Sequence, residues 1–204
     1  LVRSADPKAM PAATAELSGW LVGRTLAHAA EHHYSTVVEG TLRRPATTLN
    51  TIRQFAEQGA STHLVVLGVS PFDSWSGCID RYLTMLESGR AARWTPLEAH
   101  DAGLAGTPDT LTAAASDLGV HRLSVVDRTG TLHYDNTRGP DGHWLLPEHA
   151  VAVLEELRSR PTDPARRAAR LDSLSSRAAA LHVAPVVNDG ITHAGTLAPR
   201  SRRD

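Results

Sequence analysis

The stretch Thr36–Pro45, TVVEGTLRRP, combines a short apolar run with an acid, a hydroxyl and two guanidiniums that follow it directly. The apolar run predicts a buried strand over residues 35–39. In an open α/β sheet, ligands bind outside the carboxyl ends of the strands, so Glu39, Thr41 and Arg43 are expected at such an end. A carboxylate binds hydroxyls or a metal ion, and a guanidinium binds phosphate through its planar fork. The stretch therefore predicts a site for a phosphorylated, hydroxylated small molecule, with an incidental salt bridge at a strand edge as the alternative.

Further apolar runs supply the rest of a sheet. His63–Val69, HLVVLGV, is almost continuously apolar, which is typical of a parallel strand covered on both faces. Leu123–Val126 and Thr131–Tyr134 flank a turn and predict a hairpin at the sheet edge. Apolar spacing and hydroxyl–proline starts predict helices before, between and after the strands, over residues 17–30, 45–59, 71–88, 95–104, 107–119, 147–158 and 164–181, with a loop over residues 1–14. This order predicts an α/β fold with a three-layer parallel sheet.

Composition excludes several classes of protein. The 21 basic and 22 acidic residues leave a formal net charge of -1, and aromatic residues make up 4% of the chain. The sequence therefore offers neither a basic field nor a stacking platform for nucleic acid. No apolar run reaches the length of a membrane span. The single cysteine, Cys78, allows no intrachain disulfide, favours a cytoplasmic protein and is expected in the core.

Two other motifs have competing interpretations. The run HAAEH over residues 28–32 matches an H-x-x-E-H metal-binding pattern, with His28 and His32 on one helix face. No third ligand is evident, and a polar helix end with histidines near the carbonyls is the favoured interpretation. Arg81 lies within an amphipathic helical pattern, and Arg93 lies in a connection containing glycine and alanine that suits a movable lid. From the residues alone, each arginine is either a phosphate ligand or a solvated surface charge.

Several separated motifs, taken in order, resemble the zeta toxin family. They are VVEGTLRRP, HLVVLGVSP, SWSGCIDRYLTMLESGRAARWTPLEAHD, GTPDTL and VVDRTGTLHYD, and the similarity runs from Ala5 to Asp135. The resemblance implies a P-loop kinase-type α/β fold. It implies a phosphotransferase of bacterial toxin–antitoxin systems, which uses ATP or GTP with Mg²⁺ to phosphorylate UDP-N-acetylglucosamine or a related sugar nucleotide on a hydroxyl. It also implies an antitoxin protein as a partner.

The resemblance assigns roles to five residues. Glu39 and Thr41 match the family's substrate-contacting acid and hydroxyl, and Arg43 matches its neighbouring substrate- and phosphate-binding arginine. Arg81 and Arg93 match the two arginines that reach the nucleotide phosphates, so they are the catalytic and nucleotide-binding candidates. These roles suit phosphoryl transfer, which depends mostly on positioning and on cationic stabilisation of the transferring group. No metal ligand is assigned.

The chain departs from the family at the nucleotide-binding loop. No G-x-x-x-x-G-K-[ST] motif occurs among the 204 residues, and the single lysine, Lys8, has no glycines around it. The family's catalytic aspartate would lie upstream of Leu1, and a second substrate-binding glutamate falls near Gly23. We therefore expect the N-terminal part of the kinase fold to be missing from this chain, which alone is then inactive. The alternative is a degenerate relative that acts as a non-catalytic sugar-nucleotide- or antitoxin-binding module.

The same interpretation divides the chain into three parts. Residues 1–160 are expected to form the zeta-toxin-like kinase domain, with its substrate-binding and lid portions. Residues 161–182 are expected to form a C-terminal helix, a helical extension of that domain. Residues 183–204 are rich in Gly, Pro, Thr and Arg and are expected to form a flexible tail.

Overall fold

The computed structural model describes residues 9–197, which form seven helices and three strands. Lys8 lies outside the described residues. None of the described helices is both long enough and apolar enough to cross a membrane. In chain order the elements are α1 (Met10–Glu31), α2 (Pro45–Glu57), β1 (His63–Leu67), α3 (Pro71–Glu87), α4 (Leu97–Ser116), β2 (Arg122–Val126), β3 (Leu132–Thr137), α5 (Ala150–Ser159), α6 (Pro164–Ala180) and α7 (Ala184–Thr196).

The described residues divide into two compact units. The sheet unit comprises residues 17–68 and 101–157, and the helical unit comprises residues 9–16, 69–100 and 158–197. Each unit has its own apolar core.

The sheet unit is built on a mixed sheet with the strand order β1-β2-β3. β1 and β2 are parallel, and β2 and β3 are antiparallel with an irregularity between Val125 and Val126. The hairpin at the sheet edge and the α/β class are therefore confirmed. One core contains side chains of all three strands together with side chains of α2, α4 and α5, among them Leu64, Val66, Leu123, Val125, Tyr134, Leu49, Leu111 and Leu154.

Two expectations for this sheet are wrong. Residues 35–39 form no strand, and Val37 and Val38 are 94% and 50% exposed, because no described strand pairs with this apolar run. β1 is covered on one face only, since Leu64 and Val66 are buried whereas Val65 and Leu67 are 48% and 52% exposed. The described sheet is accordingly mixed and three-stranded, with β1 and β2 parallel and the hairpin strand β3 antiparallel at the edge.

α4 is one continuous helix where the sequence predicts two. Thr107–Pro108 predicts the start of a new helix, but Pro108 lies inside α4. A proline interrupts a helix because it lacks an N–H. Side-chain hydroxyls supply extra hydrogen bonds around this position, from Thr107 Oγ1 to the Gly103 carbonyl (2.6 Å) and from Thr112 Oγ1 to the Pro108 carbonyl (3.0 Å).

The helical unit is a cluster of α3, α6 and α7 with the connection that follows α3. α3 begins at an N-cap, Ser70, whose hydroxyl accepts a hydrogen bond from the Asp73 N–H (3.1 Å). Asp163 caps α6 in the same way by accepting from the Arg166 N–H (2.9 Å). Trp75, Ile79 and Leu83 of α3 pack with the core residues Trp94, Leu174, Ala178, Val187 and Ala194.

Both chain termini differ from the sequence-based expectation where they are described. α1 begins at Met10, inside the loop predicted over residues 1–14. α7 occupies residues 184–196, inside the segment predicted to be a flexible tail. Val187 and Ala194 are buried in the helical unit, and Val183, Val186, Ile191 and Leu197 pack against the same core. The apolar residues of this segment recur at helical spacing and therefore order it as a helix.

Candidate functional site

Glu39, Thr41 and Arg43 lie together in the irregular segment between α1 and α2. All three side chains are exposed, and the described residues provide no ion pair to Glu39 or Arg43. Residues 9–197 therefore form no salt bridge of the kind that was the alternative interpretation. Within this part of the chain, the carboxylate and the guanidinium have no ion-pair partner, which leaves them available to a ligand.

The backbone of this segment is held by α4. Thr110 is fully buried, and its Oγ1 donates to the Leu42 carbonyl at 2.6 Å. Gly106 lies directly against Arg43, because a Cβ on Gly106 would be 2.7 Å from the Arg43 carbonyl carbon and 2.9 Å from its Cα. Gly103 lies beside Thr41, because a Cβ added to Gly103 would be 3.4 Å from the Thr41 Cβ. Leu42 has a left-handed backbone with φ 53°, an uncommon conformation for a residue other than glycine.

Arg81 and Arg93 lie in the helical unit. Arg81 is an exposed residue of α3 that donates from NH2 to Thr95 Oγ1 at 2.9 Å. Arg93 is exposed in the connection between α3 and α4, and its neighbours Ala92 and Trp94 are 6% and 7% exposed. Trp94 anchors the connection through edge-to-face contacts with Trp75 (6.2 Å) and Tyr82 (5.2 Å). Arg93 thus sits at the solvent side of an anchored connection.

The structure brings together the candidates within each set. Glu39, Thr41 and Arg43 form one set in the sheet unit, while Arg81 and Arg93 form a second set in the helical unit. Thr95 links the second set, because it accepts from Arg81 and lies two residues after Arg93.

Sequence reasoning missed a polar network across the three strands. The His63 Nε2–H donates to Ser124 Oγ (2.7 Å), Ser124 donates to Asp135 Oδ1 (2.6 Å), and Arg122 donates to both Asp135 oxygens (2.8 and 2.6 Å). The hydrogen bonds from Arg122 and Ser124 lower the pKa of Asp135 to about 2. Burial and the nearby Arg122 charge lower the pKa of His63. The sequence does carry a signal for this network. His63 and Val65 are two residues apart, as are Arg122 and Ser124, and residues at this spacing lie on the same face of a strand.

The histidine motif at the end of α1 forms an aromatic cluster. The rings of His28 and His32 are 4.0 Å apart, both lie near Tyr34, and His32 Nδ1 donates to the His28 carbonyl (2.9 Å). Within residues 9–197, no group of three or more His, Cys, Asp or Glu side chains is arranged to hold a metal ion. The hydrogen bond from His32 to a helix carbonyl is of the kind expected for a polar helix end. Cys78 is half-buried against the core of the helical unit.

Comparison with known proteins identifies the family. The model of the zeta toxin family matches residues 2–138. Curated toxin zeta proteins from Enterococcus hirae and Streptococcus pyogenes are 29% and 28% identical over 108 and 112 residues, which are 52% and 54% of this chain. The chain is an α/β protein, and it belongs to the zeta toxin family.

A solved structure agrees with this fold assignment. A chain from the PezAT chromosomal toxin–antitoxin system of the human pathogen Streptococcus pneumoniae superposes with a TM-score of 0.59 at 17% identity, covering 81% of this chain and 62% of that one. The chain spans only 38% and 39% of the lengths of the two curated relatives.

Proposed function

We propose that this chain carries the substrate-binding segment and two phosphate-binding arginines of a zeta toxin kinase whose substrate is a sugar nucleotide. The observation that supports this most directly is the segment Glu39–Arg43. It presents an exposed carboxylate and an exposed guanidinium, which have no ion-pair partner among the described residues, on a backbone held by α4. Membership of the zeta toxin family supports this role.

The chemistry of the segment matches a nucleoside diphosphate sugar such as UDP-N-acetylglucosamine. Glu39 accepts hydrogen bonds from sugar hydroxyls, and Thr41 adds a hydroxyl that both donates and accepts. Arg43 binds a phosphate oxygen pair through its planar fork. Because all three groups lie within five residues of one another, the ligand binds with hydroxyls and phosphate on the same short segment.

Arg81 and Arg93 are proposed to bind the phosphates of the nucleotide donor. Both are exposed, and Thr95 and Trp94 hold the elements that carry them. Guanidiniums of this kind stabilise the charge on a transferring phosphoryl group. Their contribution is electrostatic, so it requires a bound donor.

ATP or GTP with Mg²⁺ is the proposed donor of the family's reaction, but the residues present do not fit the whole group. A triphosphate requires a cradle of backbone N–H groups and a lysine, and the sequence has no G-x-x-x-x-G-K-[ST] loop. The described carboxylates also form no cluster suited to a metal ion. The two arginines alone match the donor's phosphates.

The experiment that tests the proposal is calorimetric titration of the chain with UDP-N-acetylglucosamine. Glu39→Ala is expected to weaken binding by about ten- to a hundredfold, because a charged hydrogen-bond partner contributes about 1.5–3 kcal/mol. Glu57→Ala is the matched control, since Glu57 is another exposed glutamate of the sheet unit. Equal affinity in wild type and Glu39→Ala would remove Glu39 from the site.

A second candidate function is a non-catalytic module that binds a sugar nucleotide or an antitoxin. Such a module needs no triphosphate cradle, and none of these 204 residues forms a G-x-x-x-x-G-K-[ST] loop. The solved neighbour comes from a toxin–antitoxin system, which supports an antitoxin as the protein partner. The two functions differ in whether phosphate is transferred.

A further inference from the structure

We propose that α4 positions Arg43 for its ligand, through Gly106 and Thr110. The inference rests on the proposed function, in which Arg43 binds a phosphate. Gly106 and Thr110 together are called the α4 seat. They act on the backbone of Leu42 and Arg43 and not on the ligand, so they are positioning residues.

Gly106 supplies the space that the Arg43 backbone occupies. An added Cβ would lie 2.7 and 2.9 Å from the carbonyl carbon and Cα of Arg43, and still closer to its carbonyl oxygen. Separations under 3.0 Å are essentially never seen for a real Cβ, and backbone atoms do not swing aside as the end of a flexible side chain does. Any side chain at position 106 therefore displaces Arg43 or α4.

Thr110 fixes the backbone at Leu42, the residue that precedes Arg43. Its buried hydroxyl donates to the Leu42 carbonyl at 2.6 Å. Leu42 is held at φ 53°, a conformation that persists in a branched residue only when its surroundings determine it. The two contacts thus act on consecutive residues, one on Leu42 and one on Arg43.

The seat acts on a segment that has few other described contacts. Residues 34–44 have no strand partner among the described strands, and Val37 is 94% exposed. Within residues 9–197, no side-chain hydrogen bond or ion pair of Glu39 or Arg43 restrains the segment. The Leu42 side chain packs against the core of the sheet unit, and Gly103 lies beside Thr41, whereas Gly106 of the α4 seat is in contact with the backbone of Arg43 itself.

The first test measures the backbone without any ligand. Trypsin does not cleave before proline, so cleavage between Arg43 and Arg44 reports opening of this segment, whereas the Arg44–Pro45 bond stays intact. Gly106→Ala and Thr110→Val are expected to speed this cleavage by about fivefold or more. Cleavage at the wild-type rate in both variants would overturn the inference.

The controls match each variant in chemistry. Gly19→Ala changes a helical glycine whose Cβ would have nothing within 4 Å. Thr112→Val removes an exposed hydroxyl of the same helix, which donates within α4. Both controls are expected to be cleaved at the wild-type rate. If Gly106→Ala does not fold, Thr110→Val carries the same test.

The second test is a double-mutant cycle of UDP-N-acetylglucosamine affinity. Each seat variant is expected to weaken binding by about tenfold in the wild-type background and by less than about twofold in the Arg43→Ala background. If the seat residues have a purely structural role, their substitution lowers the melting temperature and reduces the affinity by the same factor in the wild-type and Arg43→Ala backgrounds. That result would overturn the inference. If Arg43→Ala alone leaves the affinity unchanged, or if the wild type does not bind, the proposed function fails, and the cleavage rates still decide whether α4 holds the segment.

Discussion

Among single residues, Asp135 shows how the charge of one carboxylate is coupled to the stability of the sheet through hydrogen bonds. Arg122 and Ser124 donate to this carboxylate across neighbouring strands and lower its pKa to about 2. A carboxyl whose pKa is depressed by folding stabilises the folded state above its ordinary pKa, and this contribution is lost as the pH falls toward the folded-state pKa.

Asp135→Asn is therefore expected to lower the melting temperature at pH 7, with a difference from wild type that shrinks between about pH 4 and pH 2. The reason is that wild-type Asp135 becomes neutral over this range and then resembles the amide. Thermal unfolding monitored by circular dichroism at several pH values measures the difference. Asp189→Asn is the matched control, since Asp189 is an exposed carboxylate with no hydrogen-bond partner among the described residues. A difference that persists undiminished at pH 2 would contradict the assignment.

A second ionic network, formed by Arg177, joins two helices of the helical unit. Its guanidinium donates to Asp80, Thr84 and Glu87 of α3. Although burial opposes ionisation of Asp80, the hydrogen bond from Arg177 keeps the pKa of Asp80 below its ordinary value. These contacts hold α6 on the helix that also carries Arg81.

At the scale of elements, α7 is the helix that the sequence did not predict, and Trp75 explains why it is ordered. The Trp75 indole N–H donates to the Gly190 carbonyl at 2.7 Å, and both residues are buried. A Cβ on Gly190 would lie 3.2 Å from the Trp75 ring and 3.4 Å from the Trp94 ring, so only glycine allows this close approach without adjustment. α7 is thereby packed directly on the core of the helical unit.

Trp75→Phe is expected to reduce the free energy of unfolding by about 1–3 kcal/mol, because the Gly190 carbonyl loses its buried donor and the smaller ring leaves space. Denaturant unfolding followed by circular dichroism measures the change. Trp20→Phe is the matched control, since Trp20 is 62% exposed in α1 and its replacement is expected to have little effect. Equal stability of the two variants would show that the contact between Trp75 and Gly190 does not stabilise the fold.

At the scale of the whole molecule, the question is whether the 204 residues transfer phosphate. We expect that this chain binds ATP weakly and transfers no phosphate to UDP-N-acetylglucosamine, because exposed arginines alone do not preorganise a triphosphate. Radiolabel transfer from ATP in the presence of Mg²⁺ measures the reaction. Robust transfer by the chain alone would reveal a phosphate site of another kind.

The same assay separates the two candidate functions. A chain extended by its native upstream sequence is expected to transfer phosphate if that sequence supplies a glycine-rich loop ending in Lys-Ser or Lys-Thr. The extended chain remains inactive if the protein is a degenerate binder. Titration with UDP-N-acetylglucosamine in parallel shows whether the substrate site is intact in either case.

The sequence alone determined the features that depend on near neighbours in the chain. The hairpin of β2 and β3 follows from two apolar runs around a turn, and β1 follows from the run HLVVL. Proline at the first turn marked the starts of α2, α3 and α6 correctly. The ordered motifs were sufficient for the family, because they keep their spacing along the chain.

Only the tertiary structure decided the features that depend on distant partners. An apolar run becomes a strand only when another strand pairs with it, so residues 35–39 remained irregular despite their composition. Apolar residues on one helix face order the helix when they pack against a core, as those of α7 do in the core that contains Trp75. Likewise the chain order shows that Arg43 follows Thr41, but it does not show that Gly106 and Thr110, more than sixty positions away, hold its backbone. Neighbouring residues determine the local chemistry. Strand pairing, burial and close backbone approach depend on contacts between segments that are remote in the sequence.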